Sequence, residues 1–106
     1  LLPLLKSTFG YDAFRGRQAD VLDRVMAGHS ALAVMPTGAG KSLTYQLPAL
    51  ALEGTVIVIS PLIALMHDQL RGALAAGISA ATLTSVDTDQ ADTIARLRGG
   101  ALDLLY

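Results

Sequence analysis

The sequence predicts an α/β fold in which a parallel sheet is flanked by helices. Two observations support this prediction. First, short apolar runs alternate along the chain with segments whose apolar residues recur at helical spacing. Second, a glycine-rich turn follows the first apolar run and precedes a helical pattern. Since parallel strands need crossover connections, usually helices, this alternation predicts a helical start followed by β-α-β-α-β-α-β.

The beginning of the chain is predicted to be helical. A short helix is expected from Leu1 to about Thr8, closed by Gly10. A second helix is expected over Gln18–Ala27, where four apolar residues recur at helical spacing opposite charged ones, and Gly28 ends it. We expect one domain over residues 1–106, with a helical region at 1–28 and βα repeats at 29–106.

The remaining elements alternate between strand and helix. The predicted strands are Ser30–Met35, Thr55–Ser60, Ile78–Leu83 and Ala101–Tyr106, and the predicted helices are Lys41–Leu52, Leu62–Ala76 and Asp89–Leu97. Pro48 is expected to kink its helix or end its regular part. The run Thr55–Ser60 is β-branched and apolar on both faces, so we expect it to be fully buried. Thr88 is predicted to cap the last helix.

Composition excludes several classes of protein. The chain has 106 residues, 52% of them apolar and 16% charged, which is enough to bury a core. A net charge of −1 gives no electrostatic footprint for nucleic acid. Cysteine is absent, which excludes disulfides and cysteine zinc sites and suits a cytoplasmic protein. No apolar run approaches a membrane span. Without an initiator methionine, the chain is expected to be a piece of a longer protein.

The glycine-rich turn is predicted to bind phosphate. Strand, turn and helix fall in the order that P-loops require, and Gly40-Lys41-Ser42 matches the end of G-x-x-x-x-G-K-[ST]. Lys41 would meet the β- and γ-phosphates, and the Ser42 hydroxyl would bind Mg²⁺. Backbone N–H groups of the turn would complete the site, which comprises Thr37, Gly38, Ala39, Gly40, Lys41 and Ser42. The alternative is a plain glycine-rich turn before a helix, because Met35 occupies the first glycine position.

Four segments in the correct order resemble RecQ-type ATP-dependent DNA helicases of superfamily 2. They are FGYDAFRGRQ at 9–18, MPTGAGKSLTYQLPAL at 35–50, SPLIALMHDQL at 60–70 and the strand at 102–106. The resemblance implies the N-terminal part of the first RecA-like domain. Helicases of this superfamily generally lack the first glycine of the P-loop, which accounts for Met35.

The same resemblance implies roles for residues before the P-loop. Tyr11 would stack on the adenine ring of ATP, Gln18 would hydrogen-bond its polar edge, and Arg15 would help to hold the nucleotide. An amide suits the adenine edge because it offers both a donor and an acceptor. The alternative makes Tyr11 and Phe14 core aromatics and Gln18 a solvated helix residue. The sequence departs from the family's commoner Pro-Gly pair at Gly16-Arg17.

DNA contacts are implied at two further turns. Ser60 and Pro61 would contact phosphates of single-stranded DNA, and Thr84 and Ser85 fall where relatives make further strand contacts. These turns follow predicted strands, at the sheet edge where α/β proteins bind ligands. The aspartates near residue 90 are read as helix N-terminal charges rather than metal ligands: Asp87, Asp89 and Asp92.

The resemblance implies a parent enzyme that unwinds DNA 3′ to 5′ with ATP and Mg²⁺, together with a second RecA-like domain. The chain itself contains no D-E-x-H motif, so we expect at most weak nucleotide binding and no useful turnover. A truncated parallel sheet is also expected to promote self-association. Two alternatives remain: another P-loop enzyme such as a nucleotide kinase, and a non-enzymatic nucleotide- or partner-binding module. Localisation is expected to be cytoplasmic, at the nucleoid in a bacterium.

Overall fold

The computed structural model describes residues 2–35, 40–60, 62–85 and 87–106. The chain divides into two compact units, with the boundary between residues 52 and 53. The first unit contains helices α1 (Leu2–Phe9), α2 (Gln18–Met26) and α3 (Leu43–Ala51). The second contains β1 (Val56–Ile57), α4 (Ile63–Ala75), β2 (Ala80–Ala81), α5 (Gln90–Arg98) and β3 (Leu104–Leu105).

The first unit is a small helical cluster in which α3 contacts both α1 and α2. One side chain from α1, one from α2 and two from α3 form its buried core: Leu5, Leu22, Leu43 and Leu47. Phe14 packs against this core, as the core alternative predicted for it. Pro48 lies inside α3, which continues to Ala51, so the proline does not end the helix where it stands.

The second unit contains a parallel three-stranded sheet in the order β1-β3-β2. Leu104 of the central strand pairs with Val56 on one side and with Ala80 on the other. Leu104 is fully buried because strands flank it on both edges. Helix α4 packs on β2 and covers one side of the sheet. The predicted α/β class with a parallel sheet is therefore confirmed.

The predicted strand Ser30–Met35 is not formed. Its described residues adopt no regular structure, and the side chains of Leu32 and Val34 are 93% and 88% exposed. A strand persists only where neighbouring backbone groups complete its hydrogen bonds. Within the described ranges no segment pairs with residues 31–35, so the apolar composition of this run is not sufficient to make it a strand.

The expectation that Thr55–Ser60 is fully buried is wrong. Only Val56 and Ile57 form the strand, and Ile57 and Ile59 are exposed, the latter by 94%. These side chains are exposed because β1 lies at the edge of the described sheet, where it pairs with β3 alone. Its ladder continues one residue further, where the Val58 N–H donates to the Leu105 carbonyl at 2.8 Å.

Helix boundaries agree with the sequence more closely than strand boundaries do. Gly10 and Gly28 follow α1 and α2 with φ angles of +77° and +80°, as predicted for glycines that end helices. The prediction for Thr88 is wrong, because Asp89 occupies the cap position of α5 and no side chain caps that helix. Among the described helices, none has the length and apolar character needed to cross a bilayer.

Candidate nucleotide site

A cleft of about 340 Å³ in the first unit brings several predicted site residues together. The loop after α1 and the start of α2 supply one wall, and the start of α3 supplies the other. The lining residues are Phe9, Tyr11, Ala13, Arg15, Gln18, Gly40, Ser42, Leu43 and Gln46. Residues predicted to recognise adenine therefore share one cavity with residues of the predicted phosphate turn.

Gln18 is the most constrained polar residue of the cleft. Its side chain is only 5% exposed, and its amide bridges two backbone segments. Oε1 accepts a hydrogen bond from the Arg15 N–H at 2.9 Å, and Nε2 donates to the Gly40 carbonyl at 3.0 Å. The alternative of a solvated helix residue is therefore wrong for Gln18. A primary amide can donate twice and accept twice, so with respect to the described residues one N–H and one lone pair remain for a ligand.

Tyr11 lies at the mouth of the cleft and is 60% exposed. The core-aromatic alternative is wrong for this residue, because the ring lies outside the buried cluster. An exposed aromatic ring beside an amide is an arrangement that can stack on a planar base while the amide reads its edge.

Gly40 connects the two walls of the cleft. Its φ angle is +79°, in the left-handed region that side-chain-bearing residues rarely adopt. A Cβ at this position would also overlap Nε2 of Gln18 and approach a guanidinium nitrogen of Arg15 at 3.2 Å. Glycine is therefore required here by its backbone conformation and by the close approach of Gln18. Nothing in the sequence indicated the contact with Gln18.

Lys41 and Ser42 follow directly and form a turn that leads into α3. The Lys41 side chain is exposed, and Ser42 is half-buried at the N-cap position, with no side-chain cap hydrogen bond. Unpaired N–H groups at a helix N-terminus attract anions, which matches the expected position of phosphates. Thr37, Gly38 and Ala39 lie outside the described residues.

Gln46 is a cleft residue that the sequence reasoning missed. It is buried, lies one turn after Ser42 on α3, and donates its backbone N–H to the Ser42 carbonyl at 2.9 Å. The spacing of four residues on one helix could have indicated it, because residues at that separation share a helix face.

The residues predicted to contact DNA belong to the second unit. Ser60 follows β1 and lines a cleft of about 250 Å³ with Leu83 and Tyr106. Its hydroxyl accepts a long hydrogen bond from the Leu62 N–H at 3.4 Å. Pro61 lies outside the described residues. Ser85 is exposed, whereas the hydroxyl of Thr84 is buried and has no hydrogen-bond partner in the described part of the chain.

The sequence predicted that the carboxylate of Asp87 is a helix N-terminal charge. In the structure it serves instead as a hydrogen-bond acceptor for neighbouring residues. Its Oδ2 accepts hydrogen bonds from the Thr82 hydroxyl at 3.0 Å and from the Thr84 N–H at 2.8 Å. Partial burial raises the pKa of Asp87, but the hydrogen bonds from Thr82 and Thr84 and the charge of His67 outweigh it, so the pKa is lowered. No three His, Asp or Glu residues in the described ranges are grouped to hold a metal ion.

A parallel α/β sheet and a Gly-Lys-Ser turn ahead of a helix define a protein of the P-loop class. The family described as DEAD/DEAH box helicase matches residues 15–106, so the chain belongs to that family. It is similar to the ATP-dependent DNA helicases RecQ of Pasteurella multocida and Haemophilus influenzae, with 48% and 49% identity over 99% of the chain. RecQ of Bacillus subtilis is 47% identical over 97%. The predicted RecQ-type resemblance is therefore confirmed.

The chain spans 17% of the length of the first two of these relatives. Its fold is also similar to that of a solved structure, a hypothetical ATP-dependent RNA helicase from Sulfolobus tokodaii. The TM-score is 0.75 at 20% identity, covering 99% of this chain and 33% of the other. This likeness shows the fold alone.

Proposed function

We propose that the chain is the adenine-nucleotide-binding part of a RecQ-type ATP-dependent DNA helicase. The observation that carries this proposal is the buried amide of Gln18, which is held by Arg15 and Gly40 beside the exposed ring of Tyr11. The names of the similar proteins support it, since three of them are ATP-dependent DNA helicases.

In this proposal different residues recognise different parts of ATP. Tyr11 stacks on adenine, the free amide groups of Gln18 meet the polar edge of the base, and Arg15 helps to hold the nucleotide. Lys41 compensates the charge of the β- and γ-phosphates, assisted by the backbone N–H groups of residues 37–42. The hydrogen bond from Gln18 to Gly40 supports these roles, because it holds the Gln18 amide at the residue directly before Lys41.

Mg²⁺ would be held by the Ser42 hydroxyl. The donor fits, because Mg²⁺ prefers hard oxygen ligands and this hydroxyl is not engaged in capping α3. The bound ion would neutralise phosphate charge. The cleft as described has no carboxylate in its lining, and the chain has no D-E-x-H motif, so the 106-residue chain is proposed to bind ATP without useful turnover.

For the whole protein we propose unwinding of DNA, 3′ to 5′, coupled to ATP hydrolysis by this domain and a second RecA-like domain. Ser60, Pro61 and Ser85 would contact phosphates of the single strand, contacts that fix position without reading sequence. Thr84, predicted from the sequence to make such a contact, has a buried hydroxyl and is left out of this proposal. The 106 residues would then form one piece of a single domain. The site of action would be the cytoplasm, and the nucleoid in a bacterium.

Titration with a fluorescent ATP analogue, with and without Mg²⁺, tests the nucleotide part of the proposal. Lys41→Ala is expected to weaken binding at least tenfold, because it removes the mobile charge that meets the phosphates. Arg71→Ala is the matched control: it also removes one positive charge, but from an exposed pair with Asp68 in the second unit. Equal affinities for all three proteins would contradict the proposed site.

A further inference from the structure

The turn after β2 is held by a hydrogen-bond network that binds both backbone groups of Thr84. Its N–H donates to Oδ2 of Asp87 at 2.8 Å. Its carbonyl accepts hydrogen bonds from Nε2 of Gln90 at 2.6 Å and from the Asp87 N–H at 3.3 Å. Both backbone groups of Thr84 are thus bound within the protein.

The carboxylate of Asp87 is the centre of this network. One oxygen, Oδ2, accepts from the buried Thr82 hydroxyl and from the Thr84 N–H together. Hydrogen bonds to an ionised carboxylate are about twice as strong as neutral ones. The Asp87 side chain therefore joins two residues that follow β2, Thr82 and Thr84.

Thr84 and Ser85 consequently differ in what they offer to a ligand. The Thr84 hydroxyl is buried, so it is not presented to solvent. The Ser85 side chain is exposed. A phosphate that approaches this turn would therefore meet Ser85 and not the hydroxyl of Thr84.

Resting on the DNA-binding role proposed above, we infer that Asp87 is a positioning residue that fixes residues 82–85 so that Ser85 meets a phosphate of single-stranded DNA. Thr84 serves as the internal anchor of the turn. The negative charge of Asp87 opposes DNA binding, because it repels phosphate. Its contribution is the geometry of the turn, and charge and geometry can be separated by substitution.

Binding of the 106-residue chain to fluorescein-labelled single-stranded DNA tests this inference. Ser85→Ala and Asp87→Ala are each expected to weaken binding by about two- to tenfold, the effect of one hydrogen bond. Asp87→Asn keeps an oxygen acceptor for Thr82 and Thr84 and removes the charge, so it should bind at least as tightly as the unmodified chain. Ser7→Ala, the matched control for Ser85→Ala, removes an exposed hydroxyl from α1 in the first unit and should leave affinity unchanged.

Unchanged affinity for Asp87→Ala, or tighter binding for both Asp87 variants, would overturn the inference, since the carboxylate would then act only through its charge. Equal losses for Ser85→Ala and Ser7→Ala would overturn the assignment of Ser85.

Amide hydrogen exchange of Thr84 provides a readout that does not depend on DNA. Asp87→Ala should speed this exchange at least tenfold, and Asp87→Asn should restore most of the protection. If the unmodified chain binds no DNA while this pattern holds, the proposed DNA contact fails and the positioning role stands. If exchange is the same in both variants and the unmodified chain, the positioning role fails whatever the DNA result.

Discussion

At the scale of single residues, Gln18 shows how one side chain connects two motifs 22 positions apart in the sequence. Its amide satisfies the Arg15 N–H and the Gly40 carbonyl at the same time. Two backbone groups would be left unpaired if the amide were removed, which typically costs about 1–3 kcal/mol for each buried group. The residue proposed to read the base is therefore also the residue that fixes the start of the phosphate turn.

Gly40→Ala tests this connection, with Gly10→Ala as a matched control. Both glycines have φ near +78°, at +79° and +77°, so both substitutions carry the left-handed backbone cost of about 1–2 kcal/mol. Only at Gly40 would the new methyl group meet the Gln18 amide, because nothing lies within 4 Å of a Cβ at Gly10.

We expect Gly40→Ala to lower the free energy of unfolding in urea by about 1 kcal/mol more than Gly10→Ala, and to weaken ATP binding where the control does not. Equal stability losses and equal ATP affinities for the two variants would show that the Gln18 contact has no energetic consequence.

At the scale of elements, the helices were predicted closely and the strands were not. Helical spacing and terminal glycines are local features, so α2 and α4 fall within one residue of prediction at each end. A strand depends on partners distant in sequence. The run Ser30–Met35 has the composition of a strand but remains unpaired in the described structure, and β1 is short because it is paired on one side only.

The hydrogen bonds that Asp87 accepts from Thr82 and Thr84 should make stability depend on pH. The folded-state pKa of Asp87 is lowered, so its contribution is fully present above the ordinary carboxyl value of about 3.9 and is lost as the pH falls through the lowered folded value. In urea unfolding, the difference in stability between the unmodified chain and Asp87→Asn should shrink as the pH falls through that window.

Asp23→Asn is the control for this experiment, because the Asp23 side chain is exposed on α2. Its difference from the unmodified chain should vary less with pH. A constant difference for Asp87→Asn from neutral pH to about pH 3 would contradict the role of the hydrogen bonds to Thr82 and Thr84.

The exposed face of β1 should support the proposed self-association. Ile59 is 94% exposed beside an unpaired strand edge, an arrangement that favours pairing with another chain. Ile59→Lys is expected to weaken association in sedimentation velocity and to change the unfolding free energy by no more than about 0.5 kcal/mol. Association that is unchanged by this substitution would exclude the β1 edge as the contact.

At the scale of the whole molecule, the sequence predicted the fold class and the family, and the structure added contacts that no pattern encodes. The parallel sheet followed from alternating periodicity, and the family followed from four ordered motifs. The bridge from Gln18 to Gly40 and the burial of Gln46 depend on tertiary packing between distant segments. They could not be read from spacing, because each joins elements whose relative placement the sequence leaves open.

The central claim is that the first unit binds an adenine nucleotide through Gln18 and Tyr11. Isothermal titration of the unmodified chain and of Gln18→Ala with ATP and with GTP, in the presence of Mg²⁺, tests it most directly. The account predicts that the unmodified chain binds ATP at least tenfold more tightly than GTP, and that Gln18→Ala loses this preference. Equal affinity of the unmodified chain for the two nucleotides, or a preference that survives in Gln18→Ala, would contradict it.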